Sequence, residues 1–142
     1  MKLSPNFTLA EMLESQTARR KGISEQFTPS PEVISNLRAL CKNILQPLRD
    51  AIGAPIKISS GYRTPRLNRA IGGASNSQHM VGEAADIQGL GGMTNRQLFN
   101  KIKQLNLPFD QLIWEFGNDQ NPAWVHVSFG PRNRRQIIRV TK

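Results

Sequence analysis

Two histidines stand out among 142 residues because there are only two, His79 and His126. His79 closes the polar loop Ser75-Asn76-Ser77-Gln78, and His126 interrupts the apolar run Trp124-Val125-His126-Val127. Seven residues after His79 comes Asp86, behind Gly82 and the pair Ala84-Ala85. A carboxylate in an apolar strand is costly unless it is paired or binds a metal. A loop histidine, a glycine turn and a strand aspartate can converge on one point. A third ligand from a neighbouring strand would complete a two-histidine, one-carboxylate set, which leaves the fourth position of zinc open to water. His126 is the remaining imidazole able to supply it. Against this stands the plain alternative for any lone histidine, a satisfied structural or surface residue.

Residues Ser77-Gln78-His79-Met80-Val81-Gly82-Glu83-Ala84-Ala85-Asp86 fit the pattern S-x-H-x-x-G-x-A-x-D at every fixed position. Upstream stand Ser60-Gly61-Tyr62-Arg63-Thr64-Pro65 and Asn68, and downstream Trp124-Val125-His126-Val127. In these three segments, from about 56 to 129, the chain resembles the zinc D-alanyl-D-alanine carboxypeptidases and the phage L-alanyl-D-glutamate endolysins, with the hedgehog fold a distant cousin. The resemblance implies that His79, Asp86 and His126 bind Zn²⁺. It also implies that Arg63 binds a substrate carboxylate or polarises the scissile carbonyl. Its chemistry agrees, since a planar guanidinium makes bidentate bonds to a carboxylate or steadies an oxyanion.

One departure matters. Much of this family carries an acid three residues before the second histidine as general base, and here that position is Ala123. A zinc peptidase still needs a carboxylate to move a proton from water to the leaving amine. Strand alternation offers one. Leu112, Trp114 and Phe116 share an apolar face that matches Val125, Val127 and Phe129. The opposite face then holds Gln111, Ile113 and Glu115 beside Trp124, His126 and Ser128. Glu115 is therefore the expected base, within cross-strand reach of His126, with Asp119 second and Glu83 third. Ser77 either orients substrate or a ligand through its hydroxyl or serves the turn. Trp124 either lines the site as a substrate contact or packs.

These groups need elements to hold them. Thr8-Leu9-Ala10-Glu11 has capping-box spacing and predicts a short helix ending near Gln16. After Arg19, Arg20 and Lys21, an irregular connector runs from Gly22 to Pro29. Ser30-Pro31-Glu32 opens a long amphipathic helix with Ile34, Leu37, Cys41, Ile44, Leu48 and Ile52 on one stripe, kinked at Pro47. Cys41 reads as a core residue on that stripe. Strands are expected over 55–59, 84–87, 111–116, 124–129 and 136–140, with 111–129 forming a hairpin through Gly117-Asn118-Asp119-Gln120-Asn121-Pro122. Short helices follow Thr64-Pro65 and the second capping box at Thr94 and Gln97. The sum is α+β: a helical N-terminal part packed on a small, mainly antiparallel sheet. It is read as one domain over 1–142, with the motifs at about 55–130.

Nineteen Lys and Arg against ten Asp and Glu give a formal charge of +9. That suits anionic partners, bacterial wall polymers among them. The tail Arg132, Arg134, Arg135, Arg139 and Lys142 is basic without acids. No specific nucleic-acid binding is expected, since no basic zipper, Cys–His finger or aromatic–basic motif accompanies the charge. One cysteine excludes an internal disulfide framework and a Cys-rich zinc finger, and no apolar run reaches the ~20 residues of a membrane span. The N-terminus lacks the apolar stretch of a secretory signal. The expected protein is a monomeric zinc peptidase acting on peptidoglycan stem peptides. A phage or prophage origin is expected, with the protein cytoplasmic until a holin releases it to the wall, or phage-associated. The alternative is a catalytically silent zinc-binding module of the cell wall or phage tail.

Overall fold

The computed structural model describes residues 1–141; Lys142 lies outside them. The chain begins with a pair of short strands, β1 (Lys2–Ser4) and β2 (Phe7–Thr8). The sequence reading lacks this pair, because two- and three-residue strands carry no periodicity. Thr8 caps α1 (Leu9–Leu13) with both bonds of the capping box formed. The helix stops three residues short of the expected Gln16. Ser15 accepts a hydrogen bond from the Ala18 N–H and starts a second helix, α2 (Gln16–Lys21), which ends on Gly22 at φ +67°. A turn of 3₁₀ helix, Ser24–Phe27, occupies the connector expected to be irregular.

The long amphipathic helix is present in three pieces. Ser30 caps α3 (Pro31–Leu40), a π turn follows at Cys41–Leu45, and α4 (Gln46–Ile52) ends on Gly53. The interruption therefore lies a turn before Pro47. Proline has no N–H to give and its ring crowds the carbonyl four residues back, so the helix widens ahead of it. Leu37, Leu40, Cys41, Ile44, Leu45 and Leu48 are fully buried along this stretch, and burial pushes the Cys41 thiol up to about 12.

Five strands make the main sheet: β3 (Ile56–Ser60), β4 (Ala84–Gly89), β5 (Gln111–Glu115), β6 (Trp124–Ser128) and β7 (Gln136–Val140). Their order is β3-β4-β6-β5-β7, antiparallel except for the parallel β5–β7 pair. A short helix, α5 (Pro65–Ala70), follows the Thr64 cap. Ile87, Leu112, Val125 and Val127 face the helices and join one core with α6 (Asn95–Gln104) and the α3–α4 stretch. The parity is the expected one, with Leu112 opposite Val127 and Trp114 opposite Val125. The other face of β4, β6 and β5 stays polar and open. Among the described residues, no helix is long and apolar enough to cross a membrane.

Candidate metal centre

Asp86 and His126 are direct cross-strand partners on β4 and β6, and Ile113 of β5 stands next in the same row. The strands alone thus bring Asp86 Oδ1 to 3.1 Å from His126 Nδ1. His79 arrives from a 3₁₀ turn, Gln78–Val81, whose N-cap is Ser77 and whose C-cap is Gly82 at φ +79°. A Cβ on Gly82 would also sit 2.8 Å from the Val33 carbonyl oxygen. The motif's glycine is needed for both reasons, the left-handed turn and the close helix. The turn delivers His79 Nε2 to 3.2 Å from Asp86 Oδ1, and the two imidazole rings meet edge to face at 5.1 Å.

The three side chains are buried, and one donor atom from each lies within 4.8 Å of the others. Two imidazoles and one carboxylate suit Zn²⁺. His79 Nδ1 donates to the Gly61 carbonyl at 2.6 Å, which leaves Nε2 as the free lone pair facing the cluster. Such a backbone partner behind a ligand histidine fixes tautomer and ring orientation. Burial raises the Asp86 carboxyl, but positive charge carried on the His79 and His126 rings outweighs it and holds the group well below the usual carboxylate range; with the rings neutral, a bound cation would take over that role. The site therefore fits a divalent cation.

A cleft of about 680 Å³ opens over this cluster, lined among others by Arg63, Ser77, Glu115, Trp124, Arg132 and Arg134. Glu115 is paired with Trp124 across the hairpin and its Oε1 stands 3.8 Å from His126 Nδ1. Burial, then the charge of Asp86, raises its carboxyl above the ordinary value, while His126, Arg63 and Trp124 pull the other way. The two other carboxylates considered lie elsewhere. Asp119 is exposed and paired with Arg139, and Glu83 accepts a bond from Gln78 at 3.2 Å and packs at Gly130. Hairpin parity favours Glu115 over both.

Arg63 is half-buried, and burial lowers its pKa although Asp86 and Glu115 nearby work against that. Its Nη2 reaches Ser77 Oγ at 3.4 Å, and among the described residues its Nε has no hydrogen-bond partner. Ser77 serves the turn, since the same Oγ accepts from the His79 backbone N–H at 3.2 Å. Trp124 packs edge to face on Phe116 and lines the cleft. Its buried Nε1–H is directed at the Glu115 carboxyl, close enough to lower it, but makes no hydrogen bond of full geometry among the described residues.

Sequence reading missed the support behind His79. Asp110, fully enclosed, takes both Arg134 Nη2 (2.8 Å) and Nε (3.0 Å), and Gln78 Nε2 at 3.0 Å. The basic tail is thereby tied to the residue preceding His79.

The model of the family described as Peptidase M15 matches residues 5–128, and the chain belongs to that family. A 44-residue stretch is 50% identical to the zinc D-Ala-D-Ala carboxypeptidase of Streptomyces albus G, covering 30% of this chain. That stretch spans 17% of the relative's length.

Proposed function

We propose that the protein is a zinc-dependent peptidase that hydrolyses peptidoglycan stem-peptide bonds, with His79, Asp86 and His126 holding the ion. The observation that carries this reading is the buried trio of donors at the floor of an open cleft, with a carboxylate and a guanidinium beside it. Zinc bound there supplies Lewis acidity and a water of lowered pKa. Glu115 stands where it can take the proton from attacking water and return it to the leaving amine. Arg63 points its guanidinium along the same cleft, placed for a substrate carboxylate or for the oxyanion that develops at the scissile carbonyl. Ser77 and Trp124 line the substrate path, and Ser77 steadies both Arg63 and the His79 turn.

The printed name of the Streptomyces relative supports zinc and a D-Ala-D-Ala substrate. The finer reading, cell wall lysis by a phage or prophage enzyme that a holin releases from the cytoplasm, rests on the resemblance to the L-alanyl-D-glutamate endolysins. The silent-module reading leans on Ala123, and Glu115 near His126 supplies the acid that Ala123 lacks.

The test combines metal analysis with digestion of purified peptidoglycan, read by mass spectrometry. One zinc per chain and release of stem-peptide fragments are expected. Free alanine identifies a carboxypeptidase, and larger peptides an endopeptidase. Glu115→Gln should keep the zinc and lose ~10²–10⁴-fold in kcat. A zinc-loaded protein that releases nothing overturns the reading.

A further inference from the structure

Arg63 sits where the sheet has ended. β3 stops at Ser60, and residues 61–64 have no strand beside them. Their backbone groups are buried and must be satisfied nonetheless. Tyr62 N–H donates to the Met12 carbonyl at 2.8 Å, and Arg63 N–H to the His79 carbonyl at 3.0 Å. The groups on either side of Arg63 go to a single side chain. Gln26 Nε2 donates to the Tyr62 carbonyl at 2.7 Å, and Gln26 Oε1 accepts from the Thr64 N–H at 3.0 Å. This is the bond pair that a parallel neighbour strand would make to the residues flanking Arg63. Gln26 Nε2 also donates to the Leu13 carbonyl at 2.9 Å, at the end of α1.

Gln26 is 0% exposed, with Tyr62 at 9% and Thr64 at 3%. Both amide protons and the amide oxygen are used, which also fixes the amide's orientation: flipped, the oxygen would face two carbonyls. The guanidinium is tethered far less. Among the described residues its hydrogen bond is the 3.4 Å contact to Ser77, and Nε has none. The aim of Arg63 is therefore set by its backbone, and the backbone is set from both flanks by Gln26.

We propose that Gln26 is a positioning residue for Arg63, orienting its guanidinium toward the cleft from the far side of the chain. The proposal rests on the reading above that Arg63 meets the substrate. A displacement of about 1 Å at such a group costs up to ~10²-fold in rate.

The test is a double-mutant cycle of Gln26→Met with Arg63→Ala in the zinc-loaded protein, well below the melting temperature of each variant. Alone, Gln26→Met should keep the zinc and lower kcat/KM, by up to ~10²-fold. In the Arg63→Ala background it should add little further loss. Equal losses in both backgrounds would show general loosening and overturn the proposal. A second reading needs no catalysis: in ¹H–¹⁵N spectra, Gln26→Met should shift or broaden the Arg63 Nε–H signal and speed exchange of the Thr64 amide. An unmoved Arg63 signal overturns the proposal. If zinc-loaded wild type cleaves nothing, the peptidase reading fails and the spectra alone decide on Gln26. Gln26→Glu keeps the Thr64 bond and sets a carboxylate oxygen against the two carbonyls. It is carried through the same measurements in case the methionine variant does not fold.

Discussion

Around Asp86 a buried carboxylate meets two imidazoles, with Oδ1 3.2 Å from one and 3.1 Å from the other. Around Asp110 a carboxylate with no exposure at all meets the Arg134 guanidinium, the Arg134 backbone N–H at 2.7 Å and the Gln78 amide. The second is satisfied by the protein's own fixed cation. The first faces neutral-capable rings whose lone pairs also want a positive partner, and only a cation among them serves all three. Burial of an acid is thus no mark of function by itself. What distinguishes a site is a carboxylate whose neighbours are further ligands and not a resident arginine or lysine.

The largest expected effect breaks the comparison at Asp86. Zinc that binds only the folded protein stabilises it by about 4 kcal/mol when free zinc exceeds Kd a thousandfold. Asp86→Ala should abolish the zinc-induced rise in melting temperature together with stoichiometric binding. Asp110→Ala should retain both. Calorimetric scans with and without zinc check the pair. A zinc-dependent shift that survives in Asp86→Ala would place the ion elsewhere.

A smaller effect is expected at the other carboxylate, in stability alone. Asp110→Ala leaves the Arg134 guanidinium and backbone N–H and one Gln78 amide proton without their common acceptor, which costs about 1–3 kcal/mol. Urea unfolding of the metal-free protein measures it. Because Gln78 precedes His79, zinc affinity should fall modestly in this variant while stoichiometry stays at one.

The two regions also differ in how far they were legible in the sequence. Asp86 announces itself through local spacing, since His79, Gly82 and Asp86 lie within eight residues, and strand alternation extends the reading to Glu115 across a hairpin. Capping boxes at Thr8 and Thr94 and the stripe from Ile34 to Ile52 mark helices for the same reason, because near neighbours decide them. The break at Ser15 and the π turn ahead of Pro47 are finer, set by competition between a side-chain cap or a proline ring and the helix. Asp110 and Gln26 carry no local signal. Their partners are 24 and 38 residues away, and an aspartate after Pro108-Phe109 or a glutamine in a polar connector reads as surface until the fold closes over it.

The smallest expected effect sharpens the comparison by pH. Chiefly its hydrogen bonds to Arg134 hold Asp110 at about 2, below its ordinary 3.8. A carboxyl depressed in the folded state contributes stability in full above its unfolded pKa and loses it as pH falls through the folded one. The stability gap between wild type and Asp110→Asn should therefore be constant above about pH 5 and narrow between about pH 4 and pH 2. Urea midpoints across that range, taken without zinc, follow the gap. Arg134→Met should remove most of the narrowing, because it leaves Asp110 without the cation that lowers it. A gap that stays constant down to pH 2 would mean that Asp110 is not held ionised by Arg134, and the contrast with Asp86 would lose its physical basis.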